Sequence, residues 1–349
     1  MTADRPRPPR LTLGLPVYNG ERYLAEAIDA LLAQTFTDFE LVVCDNASTD
    51  STVEIAQAYA DVDPRVRVLR QPRNLGSAAN HNTVVRLARG EYFKWVSHDD
   101  LYAPGLLQAC IDVLDSRPDV VLAHAWTAFV DENGTTINKV PYPLATDDPR
   151  PDVRFDSLLR VQGGDDIYGV VRTPVVQAVA PLGSHHLADR TFVTELALQG
   201  RFANVPECLY FRRDHPERAE RASPGIRRRC AQLDPRRADP RRHPVVRLLV
   251  EYVLAYVTGV LRAPISPREK LRCLGRLALW VVGHLDPLHR RALLQSPDPA
   301  VRALGARSRA VRWRRPAGLG RFGRPGDADP PAGTGTPPGA PQPSRGDPR

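Results

Sequence analysis

The chain has 349 residues, 42% of them apolar, and a formal net charge of +8. That length suits one large domain with a smaller appendage, and the apolar share is ordinary for a soluble core. Five scattered cysteines (Cys44, Cys110, Cys208, Cys230 and Cys273) form no CxxC pair, which argues against a disulfide framework or zinc site and for a reducing compartment.

The first ten residues, MTADRPRPPR, are polar and offer no apolar core of a secretory signal. Residues 1–9 read as a flexible leader, and a cytoplasmic location is expected, either free or at the inner face of the membrane. Strand and helix signals then alternate. Leu11–Leu15 is a short apolar run ending at Pro16, and Glu21–Ala33 carries Leu24, Ala27, Ile28, Leu31 and Leu32 at helical spacing. Phe39–Cys44 reads as a strand, Asp50–Ala60 as a helix, Val66–Leu69 as a strand and Ser77–Ala88 as a helix closed near Gly90. Tyr92–Val96 follows as a strand, Pro104–Ser116 as a helix opened by proline, and Val120–Ala125 as a strand.

This alternation predicts an α/β domain with a mostly parallel sheet flanked by helices, spanning residues 10–225. Periodicity weakens after the Asp131–Gly134 turn, and Pro141–Pro151 reads as loop. A helix over Arg190–Gln199 and strands over Phe202–Val205 and Leu209–Arg212 come next. Residues 226–315 form a basic, mostly helical region with helices over Val245–Leu261 and Pro267–His284. The Pro/Gly-rich residues 316–349 lack large apolar side chains and are expected to be disordered. Arginines crowd Arg212–Arg242, and Val301–Arg315 holds six with no acid. They read either as a solvated face or as a surface for anionic lipid or a polyanionic acceptor. Val245–Leu261 is short and charged for a membrane span and reads as a packed helix. Nucleic-acid binding is not expected, because the basic stretches lack interleaved aromatics.

Ligands of such sheets bind beyond the carboxyl ends of the strands, which directs attention to four loops. The first, Pro16-Val17-Tyr18-Asn19-Gly20, is a sharp turn exposing backbone groups and the Tyr18 ring. The second, Asp45 to Asp50, begins with a carboxylate that can accept a base N–H, next to Asn46. Its Ser48 and Thr49 suit a helix cap. In the third, Arg73, Asn74 and Gly76 form a tight turn into a helix N-terminus suited to anions, with Asn80 in its first turn. The fourth is Ser97-His98-Asp99-Asp100. Adjacent carboxylates beside an imidazole are costly to place without a cation, and oxygen ligands of this kind suit Mg²⁺ or Mn²⁺.

The stretches LPVYNGERYLAEAIDALLAQTF, FELVVCDNASTDST, NLGSAANHN and GEYFKWVSHDDLYAP, in this order, resemble the family 2 glycosyltransferases over about residues 10–215. The resemblance implies a GT-A type (Rossmann-like) fold and inverting transfer of one sugar from a UDP-, dTDP- or GDP-sugar to a glycan, lipid-linked or small-molecule acceptor. By the resemblance, Pro16, Tyr18 and Asp45 hold the nucleoside, and Asp99 holds a divalent cation (Mn²⁺ or Mg²⁺). Ser97 and His98 stand where the family often has an acid, so the ribose contact passes in part to His98 or Asp100. Asp189, preceded by Ala188 where the family has glutamate, is implied as the catalytic base; its alternative is a first-turn acid of the helix. His215, in Phe211-Arg212-Arg213-Asp214-His215-Pro216, is implied to meet the metal or the diphosphate. The processive signature QxxRW is absent. Two other readings stay open: a non-catalytic nucleotide-sugar binder of the same fold, and a sugar-nucleotidyltransferase. The latter should carry a Gly/Arg-rich phosphate loop after the first strand, where this chain has Val17-Tyr18-Asn19-Gly20. Peripheral membrane contact through the basic C-terminal region is a further expectation.

Overall fold

The computed structural model describes residues 7–160, 165–218 and 225–294, with side chains described as far as Gly283. Residues 1–6, the arginine run Val301–Arg315 and the expected disordered tail 316–349 lie outside the described residues.

Nine strands form one sheet: β1 (Leu11–Val17), β2 (Phe39–Asp45), β3 (Val66–Arg70), β4 (Tyr92–Trp95), β5 (Leu101–Tyr102), β6 (Val120–Val130), β7 (Thr136–Val140), β8 (Val170–Arg172) and β9 (Arg201–Arg213). Their order is β3-β2-β1-β4-β8-β6-β9-β5, with β7 also paired to β6. β3, β2, β1 and β4 pair in parallel, as do β6 and β9. β8 is antiparallel to both β4 and β6, so β1, β2, β3, β4, β6 and β9 share one direction and β5, β7 and β8 oppose them. The α/β class with a mostly parallel sheet therefore holds. The first half follows the expected order, with ends shifted by a few residues and the two-residue β5 as an unexpected addition between β4 and α4.

The sheet has helices on both faces because its central strands alternate two apolar sets. Leu11, Leu13, Leu15, Leu41, Val43 and Tyr92 face one core, which α1 (Leu24–Leu32) and α4 (Leu106–Ser116) cover through Leu24, Ile28, Leu31, Leu107 and Ile111. Val42, Cys44, Phe93 and Trp95 face the other, covered by α3 (Ser77–Leu87), α6 (Thr173–Ala178) and α7 (Ala188–Gln199). Each such leucine taken out of water contributes roughly 1.5–3 kcal/mol, which fixes the strand ends that present the loops. α2 (Thr52–Val62) packs on β3, and α5 (Pro151–Arg160) on α7.

α8 (Ile226–Leu233), α9 (Val245–Arg262) and α10 (Pro267–Leu294) complete the described helices. Residues 1–286 are one compact unit, and 287–349 are a second, of which only helical backbone to Leu294 is described. A third core joins Tyr252, Tyr256, Val260, Cys273 and Leu277 to Phe155, Leu159 and Leu198, so the C-terminal helices pack on α5 and α7. Among the described residues no helix is long and apolar enough to cross a membrane.

The expected anion turn at Gly76 has another role in this packing. Gly76 has φ +88, and a Cβ there would lie 2.3 Å from the Leu233 carbonyl oxygen, so the end of α8 rests directly on it. Alanine at this position meets both a left-handed backbone and a backbone collision. Gly76→Ala is expected to lower stability by about 1–3 kcal/mol, read as a drop in melting temperature. An unchanged melting curve would show that α8 is not seated there.

Candidate active site

The loops beyond β1, β2 and β3 are hydrogen-bonded to one another, and the loop beyond β4 packs against the first. Between the first and second, Asn19 N–H donates to Ser48 Oγ at 2.9 Å, and Thr49 N–H donates to Asn19 Oδ1 at 3.0 Å. Between the second and third, Asn46 Nδ2 donates to Asn74 Oδ1 at 3.0 Å, and Leu75 N–H donates to Asn46 Oδ1 at 2.9 Å. Asn80 Nδ2 donates to the Cys44 carbonyl at 2.7 Å. The first loop meets the fourth where the His98 ring lies over Gly20, within 2.6 Å of where a Cβ would stand. Pro16 is buried within β1, whereas Tyr18 is 44% exposed and Arg73 is exposed.

Asp45, the last residue of β2, is fully buried. Its carboxylate accepts from Ser48 N–H at 3.2 and 3.1 Å and pairs with Arg70 Nε at 3.5 Å. Positive φ in residues other than glycine occurs, among the described residues, at Asn19, Ala47 and Leu187. All three lie in candidate-site segments: two in strand-tip loops and one immediately before α7. Such backbone costs about 1–3 kcal/mol per residue and persists where surroundings enforce it, commonly at functional sites.

Asp99 is 6% exposed. Its Oδ2 lies 2.9 Å from His215 Nε2 and 3.7 Å from Arg218 Nη1, and its Oδ1 accepts from Ser97 Oγ. Burial alone pushes this carboxyl up. The His215 hydrogen bond and the charges of His98 and Arg218 outweigh burial and hold it well below the usual carboxylate range. Asp100 is fully buried. It accepts from Tyr210 Oη, and at 3.0 Å from both Arg213 N–H and Arg218 Nη1. Burial and the neighbouring Asp99 raise it. These partners make Asp100 an anchor of the turn that presents Asp99.

Arg213 is the clamp on that turn. It is 1% exposed, and donates to the Asp99 carbonyl (2.9 Å), the Glu132 carbonyl (2.7 Å) and Glu26 Oε2 (2.6 Å). Tyr23, just before α1, stacks under its guanidinium at 4.5 Å and meets the His215 ring edge-on at 5.0 Å. Arg213, Arg218 and Glu26 were not singled out from the sequence. Arg213 stood inside the stretch that drew attention to His215, whereas Arg218 carries no local signal.

Beneath the turn, Lys94 is 2% exposed, with its ammonium 5.7 and 5.6 Å from the Tyr102 and Tyr210 rings and hydrogen-bonded to the Tyr168 carbonyl. Burial pushes it down to about 8, against the pull of Cys110 and Asp100. An unfolded lysine keeps its proton to about pH 10.4. Between these values the unfolded chain binds more protons, so this group makes stability rise with pH. From pH 8 to 10, the unfolding free energy of wild type should gain about 1–3 kcal/mol on that of Lys94→Met in urea titrations. Parallel profiles would remove the assignment.

Asp189 lies in the first turn of α7, half-buried, two residues after the left-handed Leu187. One turn on, Phe192 packs edge-on against Trp95 at 5.1 Å, which places the start of α7 beside the end of β4. No bond among those described joins Asp189 to Asp99 or Asp45. Glu195, two turns into the helix, is buried and accepts from Ala180 N–H at 3.2 Å.

Among the described residues no three His, Cys, Asp or Glu side chains cluster as a metal cage. Mg²⁺ and similar ions take one or two carboxylates together with substrate phosphates. Asp99 with His215 fits that demand, and His215 Nδ1 is buried with no hydrogen-bond partner among the described residues.

A parallel half-sheet with polar loops stitched together at its carboxyl edge, continued by a mixed half and covered by helices on both faces, is a GT-A type α/β domain. Residues 12–164 match the model of glycosyl transferase family 2. Chondroitin synthase of Escherichia coli is 35% identical over 139 residues, 39% of this chain and 20% of that protein. An uncharacterized glycosyltransferase of Rickettsia typhi is 39% identical over 130 residues, 37% of this chain and 40% of that protein. The matches thus span less than half of these relatives' lengths. Among solved structures, S. aureus TarS 1–349 in complex with UDP superposes with a TM-score of 0.56 at 19% identity, covering 83% of this chain and 76% of that one. The same fragment with UDP-GlcNAc gives 0.56 at 18% identity, covering 85% and 79%.

Proposed function

We propose that the chain transfers a single sugar from a nucleoside-diphosphate donor to an acceptor hydroxyl, with inversion at the anomeric carbon. The observation carrying this reading is the convergence of loops: Asp45 ends β2 and Asp99 lies in the loop beyond β4, on either side of β1, and their loops meet the loop of β1 at Asn19 and Gly20. The donor class is supported by the UDP and UDP-GlcNAc complexes of the TarS relative in fold.

In this reading Tyr18 and Asp45 receive the nucleoside, the ring by stacking and the carboxylate as acceptor for a base N–H. Asn19, Asn46, Asn74 and Asn80 shape the donor site through the bonds described above, Pro16 and Gly76 shape it through their turns, and the exposed Arg73 approaches a phosphate. His98 lies where it can reach the ribose, while Asp100 holds the turn. Asp99 and His215 would hold Mn²⁺ or Mg²⁺. When bound, that ion supplies positive charge against the departing diphosphate. Arg218 lies 3.7 Å from Asp99 and 3.0 Å from Asp100. Burial opposes its charge, but the two carboxylates outweigh burial and keep it protonated, a second cation for the phosphates. Asp189 takes the proton of the acceptor hydroxyl as that oxygen attacks. Entry opposite the leaving group inverts the centre.

A thermal-shift panel of UDP, dTDP and GDP, each with Mn²⁺, tests the reading. A ligand present at 100 times its dissociation constant stabilises the folded state by about 2.7 kcal/mol. A rise in melting temperature with one of the three, lost in Asp45→Asn, is the expected result. No rise with any of them counts against nucleotide binding. Binding without metal-dependent release of the sugar from its donor would favour the non-catalytic reading.

A further inference from the structure

α9 and α10 bury one side of each helix and leave an apolar stripe on the other. In α9, Leu248, Tyr252, Tyr256 and Val260 face the core. Opposite them, Val246, Val250, Leu254 and Leu261 are each at least half exposed, and the helical repeat places them within an arc of about 80°. In α10, Cys273 and Leu277 face inward, while Leu271, Leu279 and Val282 lie outward and exposed. Beside this second stripe runs an open groove of about 740 Å³ lined by Arg150, Asp152, Arg272, Gly275, Arg276 and Leu279.

The charge of the chain is concentrated on the same region. Residues 226–283 hold thirteen Arg and Lys against four Asp and Glu, a balance of +9, where the whole chain carries +8. The four acids are engaged: Asp234 with Arg236, Asp239 with Arg242, Glu251 with Arg237 and Arg247, and Glu269 at Ser266. Arg262, Arg268 and Arg272 are exposed, with no carboxylate at ion-pair distance among the described residues.

We infer that this outer face of α9 and α10 docks on an anionic bilayer, its leucines and valines entering the headgroup boundary and its arginines meeting lipid phosphates. Charge complementarity selects the occupant. Two copies of so basic a face repel each other, and a soluble polyanion has no use for the apolar stripes. An anionic bilayer meets both demands, as it does for helices that lie in the interface plane. The inference deepens the reading of the basic C-terminal region and does not depend on sugar transfer.

The full chain is mixed with vesicles of phosphatidylcholine alone and of phosphatidylcholine with phosphatidylglycerol, and sedimented. Partitioning onto the anionic vesicles is expected to be at least about tenfold stronger, and to fall as salt rises and shortens the screening length. Leu254→Glu, Leu279→Glu and the pair Arg268→Glu with Arg272→Glu each reduce it by about tenfold or more. Their melting temperature and nucleotide response stay those of wild type, which separates a docking defect from misfolding. Equal binding to both vesicle types overturns the inference, as does binding untouched by Leu254→Glu and Leu279→Glu. A concentration-dependent dimer abolished by Leu254→Glu, without vesicle binding, assigns the face to a second copy and also overturns it.

Discussion

Asp189→Asn is expected to lower turnover by about 10²–10⁴-fold, the usual contribution of general-base assistance, while leaving nucleoside-diphosphate affinity within about twofold of wild type. The amide keeps the size of the side chain in the first turn of α7 and removes only its capacity to take a proton. Stability should fall by no more than about 0.3–1 kcal/mol, the effect of losing a carboxylate near a helix N-terminus. Glu195→Gln is the control, because Glu195 is occupied with Ala180 N–H and should leave turnover nearly intact. Turnover close to wild type in purified Asp189→Asn, with the melting curve unchanged, would refute the base assignment. A collapse in Glu195→Gln instead would move the role two turns along the helix.

Asp99→Asn is expected to cost on the order of 10³-fold in turnover, since charge stabilisation by a bound divalent ion is worth several kcal/mol and each 1.36 kcal/mol is a factor of ten. It should also remove the gain in nucleoside-diphosphate affinity on adding Mn²⁺, measured by calorimetry. Metal-free affinity should survive, because Arg218 is retained as the second cation of the proposed site. If the Mn²⁺ gain persists in Asp99→Asn, the ion is held elsewhere. Asp100→Asn is expected to act differently. It loosens the bonds from Tyr210, Arg213 and Arg218, so the loss shows first in stability.

The parallel half of the fold was legible because its leading strands are buried apolar runs, each followed by a turn and a helical repeat. β1 and β2 are buried at every residue, and helices α1 to α4 carry their apolar residues at the expected spacing. Legibility fell where the chain departs from that pattern. β8 has three residues and β5 two, too few for any periodicity. α5 reads as polar because Arg154 is buried in it, satisfied by the carbonyls of Ala197, Asp148 and Pro149. β9 looked like two strands because Pro206 and Glu207 interrupt the apolar run. In the structure the pairing with β6 shifts register around Trp126, and the strand continues through the interruption.

The site divides along the same line. Asp45 could be singled out because a carboxylate directly after a buried run is conspicuous, and Asp99 because adjacent carboxylates beside an imidazole are. Ser97-His98 was visible as a departure, and the structure gives Ser97 a task as donor to Asp99. Arg213 and Arg218 act across distance. The partner of Arg213 on α1, Glu26, is 187 positions away, and the bond from Arg218 to Asp100 spans 118. Nothing local marks such a pair, since both ends look like ordinary surface charges until the chain has folded.

The seat of Leu233 on Gly76 makes the C-terminal helices a wall of the third loop. A fragment ending with the strands would expose the underside of that loop and strip Gly76 of its backbone cover. Exchanging the helical region for that of a distant relative would bring the same penalty, unless the residues around Leu233 travel with it. The sheet domain and the basic flank cannot be dissected as separable cassettes, and a fragment for functional work should keep α8, α9 and α10.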